Sequence, residues 1–229
     1  ASPPADRVDV REALYTTRAM RRLAPDPIPD DVLLRILDAA IRAPSAGNEH
    51  RFRFLVVKDP ATKKAFQALY REVLDELNET RYAAMAEAVR TGMATPGQVR
   101  VSNSAAHLAD HLHEAPVLLF TLGRPGEESS VFPAVWSACL AARAEGIGST
   151  VTTMLKSRRA ESEALLGLPE DCEYQMTAML PLGRPTGRWG VAERRPLQEM
   201  VYLERWGRPP DWTVDEALWP NPQAREGAR

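Results

Sequence analysis

The sequence contains few cysteines, and their scarcity narrows the classes of protein to which it can belong. Only Cys139 and Cys172 occur in 229 residues, and their separation does not match a metal-binding pattern. Cys139 lies in an apolar helical pattern, which is typical of a small core residue. A secreted fold that depends on disulfide bonds is therefore not indicated.

Long apolar runs are also missing. The sequence has no stretch of about 18 apolar residues, the length that a membrane-spanning helix needs. The first residues do not show the charged, apolar and small-residue pattern of a signal peptide. We therefore expect a cytoplasmic protein with no membrane partner.

Lysine is scarce as well. Only four of the 29 basic residues are lysines, and the formal net charge is −2. The chain thus has no global positive field for nucleic acid, and we expect no such partner. A coding bias toward arginine is the simplest explanation, although the planar guanidinium group also suits phosphate better than an ammonium group does.

The common catalytic motifs are absent. The sequence has no GxGxxG after a strand, no P-loop, no HExxH and no GxSxG. His107 and His111 stand one helical turn apart, but no third ligand with suitable spacing accompanies them. We interpret this pair as a solvated helix face, and we predict no metal site.

The pattern of apolar residues predicts one α+β domain over residues 10–207. Asp30 is predicted to cap a helix and Gly146 to end one. The polar segment 79–103 is predicted to be a mobile cover, or lid. Helices are predicted at residues 10–17, 30–43, 61–78, 131–145 and 158–166, and strands at 52–57, 117–122 and 174–182.

The two ends of the chain differ from this domain. Residues 1–9 are predicted to be disordered or extended. Residues 208–229 form a tail rich in proline and tryptophan, which is predicted to lack helices and strands. Because exposed tryptophans are costly in water, we expect the tail to pack on its own domain or on a second subunit.

An arginine cluster follows the first predicted helix. Arg18 and Arg21 stand three residues apart, where two guanidinium groups can converge on one anion, and Arg22 is adjacent. A solvated basic patch at a helix C-terminus explains these residues at least as well.

Three further segments have functional and ordinary interpretations. Residues 43–48 offer a hydroxyl, an amide and close backbone approach to a flat polar ligand, but they are also common turn residues. Residues 146–153 form a tight turn followed by hydroxyl-bearing residues. Residues 180–185 end a predicted strand and precede the charged run 193–197. Their ordinary interpretations are a turn for the first segment and a charged surface run for the second.

Taken in order, these segments resemble the nitroreductase family of FMN enzymes, from about Leu14 to about Trp206. The family's Arg-Arg-Ser-x-Arg and Pro-x-Pro motifs are similar to residues 17–21 and 27–29. The remaining motifs match residues 43–54, the Gly-x-Gly turn 146–148, the Leu-Pro-x-Gly-x-Pro strand end 180–185, and Arg194 before Pro-Leu.

The resemblance implies a fold and a reaction. It implies a mixed central sheet flanked by helices, in an entwined homodimer with two FMN sites at the interface. NADPH or NADH would reduce FMN at N5, and a small aromatic electron acceptor, a nitroaromatic or a quinone, would then be reduced in a ping-pong cycle. No catalytic protein residue is expected, since the flavin carries the chemistry.

It also implies roles for individual residues. Arg18 and Arg194 would bind the FMN phosphate, and Arg21 would face the N1 and C2-carbonyl edge of the flavin. The rest of the implied cofactor set is Ala19, Arg22, Pro44, Ser45, Asn48 (from the facing subunit), Thr152, Thr153 and Met154, and the implied substrate and lid set is Tyr82, Met85, Met93 and Trp136.

The chain departs from the family pattern at several positions. Ala19 replaces a serine, which removes one hydroxyl contact, and residues 50–52 replace Gln-Pro-Trp. Trp136 stands where the family often has Gln-Asn, and we interpret it as filling the core rather than narrowing the substrate space. Arginines in the lid would suit NADPH.

Three alternatives remain open at this point. A reductive dehalogenase that resembles iodotyrosine deiodinase is disfavoured, because Ala109 stands where that relative has a lysine and Glu79 and Tyr82 are only three residues apart. A relative that destroys flavin or uses deazaflavin, and a non-catalytic flavin-binding protein, are not discriminated by the sequence.

Overall fold

The computed structural model describes residues 8–219, which form helices packed on both faces of a five-stranded sheet. The helices are α1 (Val10–Thr16), α2 (Asp30–Ala40), α3 (Pro60–Glu79), α4 (Ala83–Arg90), α5 (Pro96–His111), α6 (Glu128–Ala144) and α7 (Arg159–Leu165). The strands are β1 (Leu23–Ala24), β2 (Phe52–Val57), β3 (Val117–Gly123), β4 (Gly148–Ser149) and β5 (Gln175–Pro185). The predicted α+β class is thereby confirmed.

The sheet has the strand order β1-β5-β3-β2, with β4 also paired to β5. These strand pairs are antiparallel, and a parallel bridge joins Ala19 to Ser149. All seven residues of β3 are buried, so both faces of the sheet centre are covered. Coverage on both faces explains why this strand appears in the sequence as a continuous apolar run.

Successive residues of β3 point into two different hydrophobic clusters. Val117 and Leu119 pack with α2 and α6 on one face of the sheet. Leu118 and Phe120 pack with α3 and α5 on the other face. This alternation follows from the two-residue repeat of a strand, and it divides the core into two layers.

Two predicted helix ends have different outcomes. Asp30 does not cap α2, since it is the first helical residue, Pro29 precedes it, and no side chain caps this end. Asp30 instead pairs with Lys58, and its charge complements the positive end of the helix. Gly146 takes the predicted role: it follows the last residues of α6 with φ of 71°.

The segment 79–103, which was predicted to be a lid, contains all of α4 and the first half of α5. α4 has no buried residue. A turn through Gly92, whose φ is 75°, leads to α5, which begins at a capping box between Thr95 and Gln98. α5 continues to His111, eight residues beyond the predicted boundary, because Leu108 and Ala109 are buried in the core. The lid function itself stays a prediction.

Residues 201–219, which include the described part of the tail, contain neither helix nor strand. The tail folds back on its own chain: the Val214 N–H donates to Gln198, and the Trp219 ring lies 5.6 Å from the Tyr15 ring. Residues 1–7 and 220–229, including the predicted extended N-terminus and the end of the tail, lie outside the described residues. None of the helices in residues 8–219 is long and apolar enough to cross a membrane.

The contact between the phenylalanine rings of β3 and α3 leads to a prediction about stability. Phe120 is fully buried, and its ring centroid lies 4.5 Å from that of Phe66. We expect Phe120→Ala to lower the free energy of unfolding by about 3–5 kcal/mol, because it leaves a cavity in this cluster. Leu34→Ala, at a site that is 64% exposed, is the control and should change it by less than about 0.5 kcal/mol. Similar losses in a urea titration of both variants would contradict the assigned core.

The two thiols should differ in reactivity. Burial raises the pKa of Cys139 to about 11, whereas Cys172 is only partly buried. Since the thiolate is the reactive form, we expect a disulfide reagent at pH 8 to modify Cys172 in the native protein and both cysteines only in denaturant. Rapid native modification in a Cys172→Ser variant would show that Cys139 is accessible.

Candidate functional site

A cleft of about 630 Å³ contains most of the arginines that the sequence singled out. We call it the arginine cleft. Its wall combines the segment after α1, the first half of α5 and the irregular loop 186–196. The lining residues are Arg18, Ala19, Met20, Arg21, Arg22, Gly97, Arg100, Val101, Ser104, Gly187, Val191, Ala192, Glu193 and Arg194.

The segment after α1 is held flat against β4. The Met20 N–H donates to the Ser149 carbonyl at 2.9 Å, so Met20 is buried while Arg18 and Arg22 face outward. Gly148 allows this close approach, because a Cβ there would lie 3.0 Å from the Met20 Cβ. With Met20 anchored in this way, Arg18 and Arg22 on either side of it stay exposed and line the cleft.

The loop 186–196 forms the opposite wall. Arg18 donates from Nη2 to the Arg188 carbonyl at 2.8 Å, and the Thr186 N–H donates to the Arg22 carbonyl at 3.0 Å. Arg194, from the same loop, donates from Nη1 to the Glu193 carbonyl at 2.8 Å and is exposed. Residues far apart in sequence thus bring their guanidinium groups to one cleft.

A buried arginine fixes both walls. Arg143, near the end of α6, donates to the Thr16 hydroxyl at 2.9 Å and to Glu12 at 2.7 Å, both in α1. Its guanidinium carbon lies 4.4 Å from the centre of the Trp189 ring, in the loop 186–196. Sequence reasoning missed Arg143, although a charged residue inside the small-residue pattern of α6 was a usable signal.

A second cleft, of about 360 Å³, adjoins the first and is rich in hydroxyl groups. We call it the hydroxyl cleft. Its lining residues are Arg21, Tyr70, Leu74, Asn78, Tyr82, Met85, Ala86, Val101, Ser102, Ala105, Ala106, Thr150, Val151, Thr152, Thr153 and Met154.

Thr152 is fixed at the floor of the hydroxyl cleft. Thr152 and Met179 exchange two backbone hydrogen bonds, of 3.0 and 2.9 Å. The Thr152 hydroxyl lies 3.2 Å from the Tyr70 hydroxyl, with which it shares a hydrogen bond. Burial raises the pKa of Tyr70, so the phenol keeps its proton at neutral pH.

The hydroxyl of Thr150 has no hydrogen-bond partner among the described residues. Thr150 is only 2% exposed and lines the hydroxyl cleft. A buried hydroxyl without a partner costs roughly 1–3 kcal/mol. Because the hydroxyl oxygen exposes less than 1 Å² to solvent, a ligand in the cleft reaches it only if the surrounding side chains move.

α5 separates the two clefts. Gly97, Arg100 and Ser104 share one face of the helix and line the arginine cleft, whereas Ser102 lines the hydroxyl cleft. Val101 and Arg21 line both clefts, so the two spaces meet at the Arg21 side chain.

The structure brings together most of the predicted site residues. Arg18, Ala19, Arg21, Arg22 and Arg194 line the arginine cleft. The hydroxyl cleft is lined by Tyr82, Met85, Thr152, Thr153 and Met154, and again by Arg21.

Five predicted residues line neither cleft: Pro44, Ser45, Asn48, Met93 and Trp136. The Ser45 hydroxyl accepts from the His50 N–H at 3.0 Å, which stabilises the loop. Met93 is 82% exposed. Trp136 is 43% exposed on α6, so the interpretation that it fills the core of this chain is wrong.

Several lining residues were not singled out from the sequence. Tyr70 belongs to the apolar stripe of α3, and its hydroxyl gave no separate signal. Thr150 lies inside the segment 146–153 but was not distinguished from its neighbours. Arg100 is one of the arginines of the segment 79–103, which the sequence connected with NADPH only as a group.

The histidine pair takes no part in a metal site among the described residues. The rings of His107 and His111 stack with centroids 4.3 Å apart. Arg22 Nη1 lies 3.1 Å from His107 Nδ1, and because arginine can only donate, this nitrogen accepts. Burial and the charge of Arg22 lower the pKa of His107, in agreement with a neutral ring.

A third groove, of about 820 Å³, lies beneath the tail. Its walls include the aliphatic side chains of Leu14, Leu197 and Leu218, and it reaches Arg194 from the other side of the loop 186–196. The groove is larger than either cleft, but carboxylates of Glu193, Asp215 and Glu216 line it together with Arg194 and Arg195.

Comparison with known proteins identifies the family. Residues 14–184 match the sequence model of the nitroreductase family. The chain is 28% identical over 221 residues to an NADH dehydrogenase of Thermus thermophilus, which covers 85% of this chain and 95% of the relative. It is 31% identical over 181 residues to a 5,6-dimethylbenzimidazole synthase of Rhodobacter capsulatus, with 76% and 82% covered.

Solved structures share the fold. Oxidized iodotyrosine deiodinase bound to FMN and 3-iodo-L-tyrosine superposes with a TM-score of 0.66 at 24% identity, covering 82% of this chain and 95% of the other. The FMN and NADPH-dependent nitroreductase NfnB from a Sphigopyxis strain superposes with a TM-score of 0.65 at 20% identity, covering 86% and 100%. Because the family model spans most of the chain and the fold agrees, the chain belongs to the nitroreductase family.

Proposed function

We propose that the chain binds FMN across the arginine and hydroxyl clefts and, as a homodimer, reduces nitroaromatic or quinone-like acceptors with NAD(P)H. The observation that carries this proposal is the meeting of the two clefts at Arg21. One cleft offers guanidinium groups and the other offers hydroxyl groups beside apolar side chains. FMN combines a phosphate with a flat ring that has one polar edge, and it requires both environments.

The arginine cleft fits the phosphate. Arg18, from the segment after α1, and Arg194, from the loop 186–196, both line it, and guanidinium groups bind phosphate oxygens through paired N–H donors. Within residues 8–219, neither forms an ion pair with a carboxylate inside 4.0 Å. Both side chains therefore keep their charge available for an anion.

The hydroxyl cleft fits the ring. Arg21 places a positive charge at the junction, where it would stabilise negative charge on the polar edge of the ring. Thr152, fixed by its backbone hydrogen bonds, and Thr153 line the cleft and supply polar groups beside the ring. Tyr70 holds Thr152 in place, so we assign Tyr70 a positioning role.

When bound, FMN supplies two-electron chemistry at ring atom N5. In the overall reaction NAD(P)H gives up a hydride, and a nitro group gains two electrons and two protons to become a nitroso group and water. The chain would bind and orient the cofactor and the substrates. It would also exclude water, with α4 and α5 as the cover of the hydroxyl cleft. Both substrates would use the same cleft in turn, as a ping-pong cycle requires.

The homodimer accounts for the residues that lie outside both clefts. Pro44 and Asn48 are exposed, as are Phe132 and Trp136 on α6. In a dimer these side chains would face the partner, and the loop 43–48 would reach the partner's ring. The exposed aromatic residues would then be buried.

Two relatives suggest other substrates, with unequal support. Deiodination is disfavoured because Ala109, the position compared with a lysine, is fully buried in the core. A reaction that consumes the flavin is a second candidate, supported by the 31% identity to the dimethylbenzimidazole synthase, whose product carries the same dimethyl-substituted benzene ring as FMN.

An absorption experiment tests the main proposal. We expect the purified protein to take up FMN, to lose the oxidised-flavin bands with NADPH or NADH under anaerobic conditions, and to regain them with a nitroaromatic. A protein that takes up no FMN would sink the proposal. If the reductant bleaches the bands and they do not return in air, the flavin-consuming reaction is favoured instead.

The phosphate assignment predicts the effect of one substitution. We expect Arg194→Ala to raise the Kd for FMN about 10-fold to 100-fold, because it removes a charge-assisted hydrogen bond worth roughly 1.5–3 kcal/mol. The control is Arg42→Ala, at an arginine whose side chain is 70% exposed and pairs with Asp38. Quenching of FMN fluorescence gives both constants, and equal values for the two variants would contradict the assignment.

A further inference from the structure

The arginine cleft carries more positive charge than one phosphate group balances. Five of its lining residues are arginines, and Glu193 is the one carboxylate among them. A phosphate monoester carries about −1.5 to −2 charges at neutral pH. With one phosphate bound, about two guanidinium charges would remain without a counter-charge. Such an excess favours the binding of a second anion.

The arginines divide between two walls. Arg18 and Arg194 belong to the side of the loop 186–196, where each donates to a backbone carbonyl of that loop. Arg22 turns instead toward α5, with Nη1 3.1 Å from His107 Nδ1, and Arg100 is part of α5. The cleft therefore has two separate groups of donors, with Arg21 at the junction of the clefts.

The α5 wall is open to a ligand. A Cβ added to Gly97 would lie 3.8 Å from Arg100 Nη2, so a side chain at this position would cover the guanidinium group. Ser104 lies one turn further along the same face and adds a hydroxyl. Among the described residues, no carboxylate pairs with Arg100 or with Arg22.

We infer that Arg22 and Arg100 form a second anion subsite that binds a phosphate monoester of the reductant and so selects NADPH over NADH. The inference rests on the proposed function. NADPH differs from NADH by the 2′-phosphate of its adenosine ribose. His107 is neutral and leaves the charge of Arg22 intact, so both arginines act on the anion as cations.

The test measures the KM for each nicotinamide in the FMN-loaded enzyme with an uncharged quinone as acceptor. In Arg100→Gln we expect the KM for NADPH to rise about 10-fold or more, while the KM for NADH and the Kd for FMN change less than about twofold. Arg90→Gln is the matched control, since the side chain of Arg90 is 75% exposed, pairs with Glu87 and lines neither cleft.

A second probe isolates the phosphate. We expect adenosine 2′,5′-bisphosphate to inhibit the wild-type enzyme more strongly than adenosine 5′-monophosphate does. Arg100→Gln should remove this difference.

Three results would overturn the inference. Equal changes in KM for NADPH and NADH would remove the selection of the 2′-phosphate. Loss of FMN from Arg100→Gln would assign the residue to the FMN phosphate. A KM change confined to a charged acceptor such as 4-nitrobenzoate, with NADPH unaffected, would assign the anion to the acceptor. In each case a wild-type enzyme that binds FMN and oxidises NADH leaves the proposed function standing. A wild-type protein that fails to bind FMN ends both proposals.

Discussion

The contacts of the buried Arg143 determine where the two walls of the arginine cleft lie. Its guanidinium group joins Glu12 and Thr16 of α1 and lies over Trp189 of the loop 186–196. Removal of one partner from a buried ion pair costs roughly 3–5 kcal/mol, because the other charge is left without compensation. The segment 18–22 starts where α1 ends, and Arg194 follows Trp189 by five residues. The arginines on the surface thus take their positions from a buried arginine that lines neither cleft.

Strands and apolar helices were predictable from the sequence because their pattern comes from burial. The strand 52–57 was predicted with the bounds that the structure has, and β3 differs by one residue. Continuous apolar runs in a two-layer core leave little choice of conformation. The end of α5 was missed, because burial of Leu108 and Ala109 depends on α3, far away in sequence.

The site was predictable as a set of segments but not as a set of contacts. The arginine cluster and the residues 152–154 were identified in advance, and the structure places them around adjoining clefts. The hydrogen bond between Tyr70 and Thr152 forms only when α3 and β5 pack together. The burial of the Thr150 hydroxyl without a hydrogen-bond partner likewise appears only in the folded chain. Trp136 is a case in which the helix pattern misled: a tryptophan in an apolar helix was interpreted as a core residue, but it is exposed. Which face of α6 packs on α2 and the sheet depends on contacts between distant segments, and the apolar pattern of one helix does not contain this information.

The position of α5 between the clefts has a thermodynamic consequence. Its second half is anchored by Leu108 and Ala109, while its first half borders both clefts and has no fully buried residue before Leu108. A ligand that shifts Val101 or Arg21 in one cleft changes the shape of the other, because both residues belong to both walls. Coupling of this kind is reciprocal: if one ligand tightens the binding of the other by some factor, the second tightens the first by the same factor. One helix thereby makes two binding equilibria interdependent.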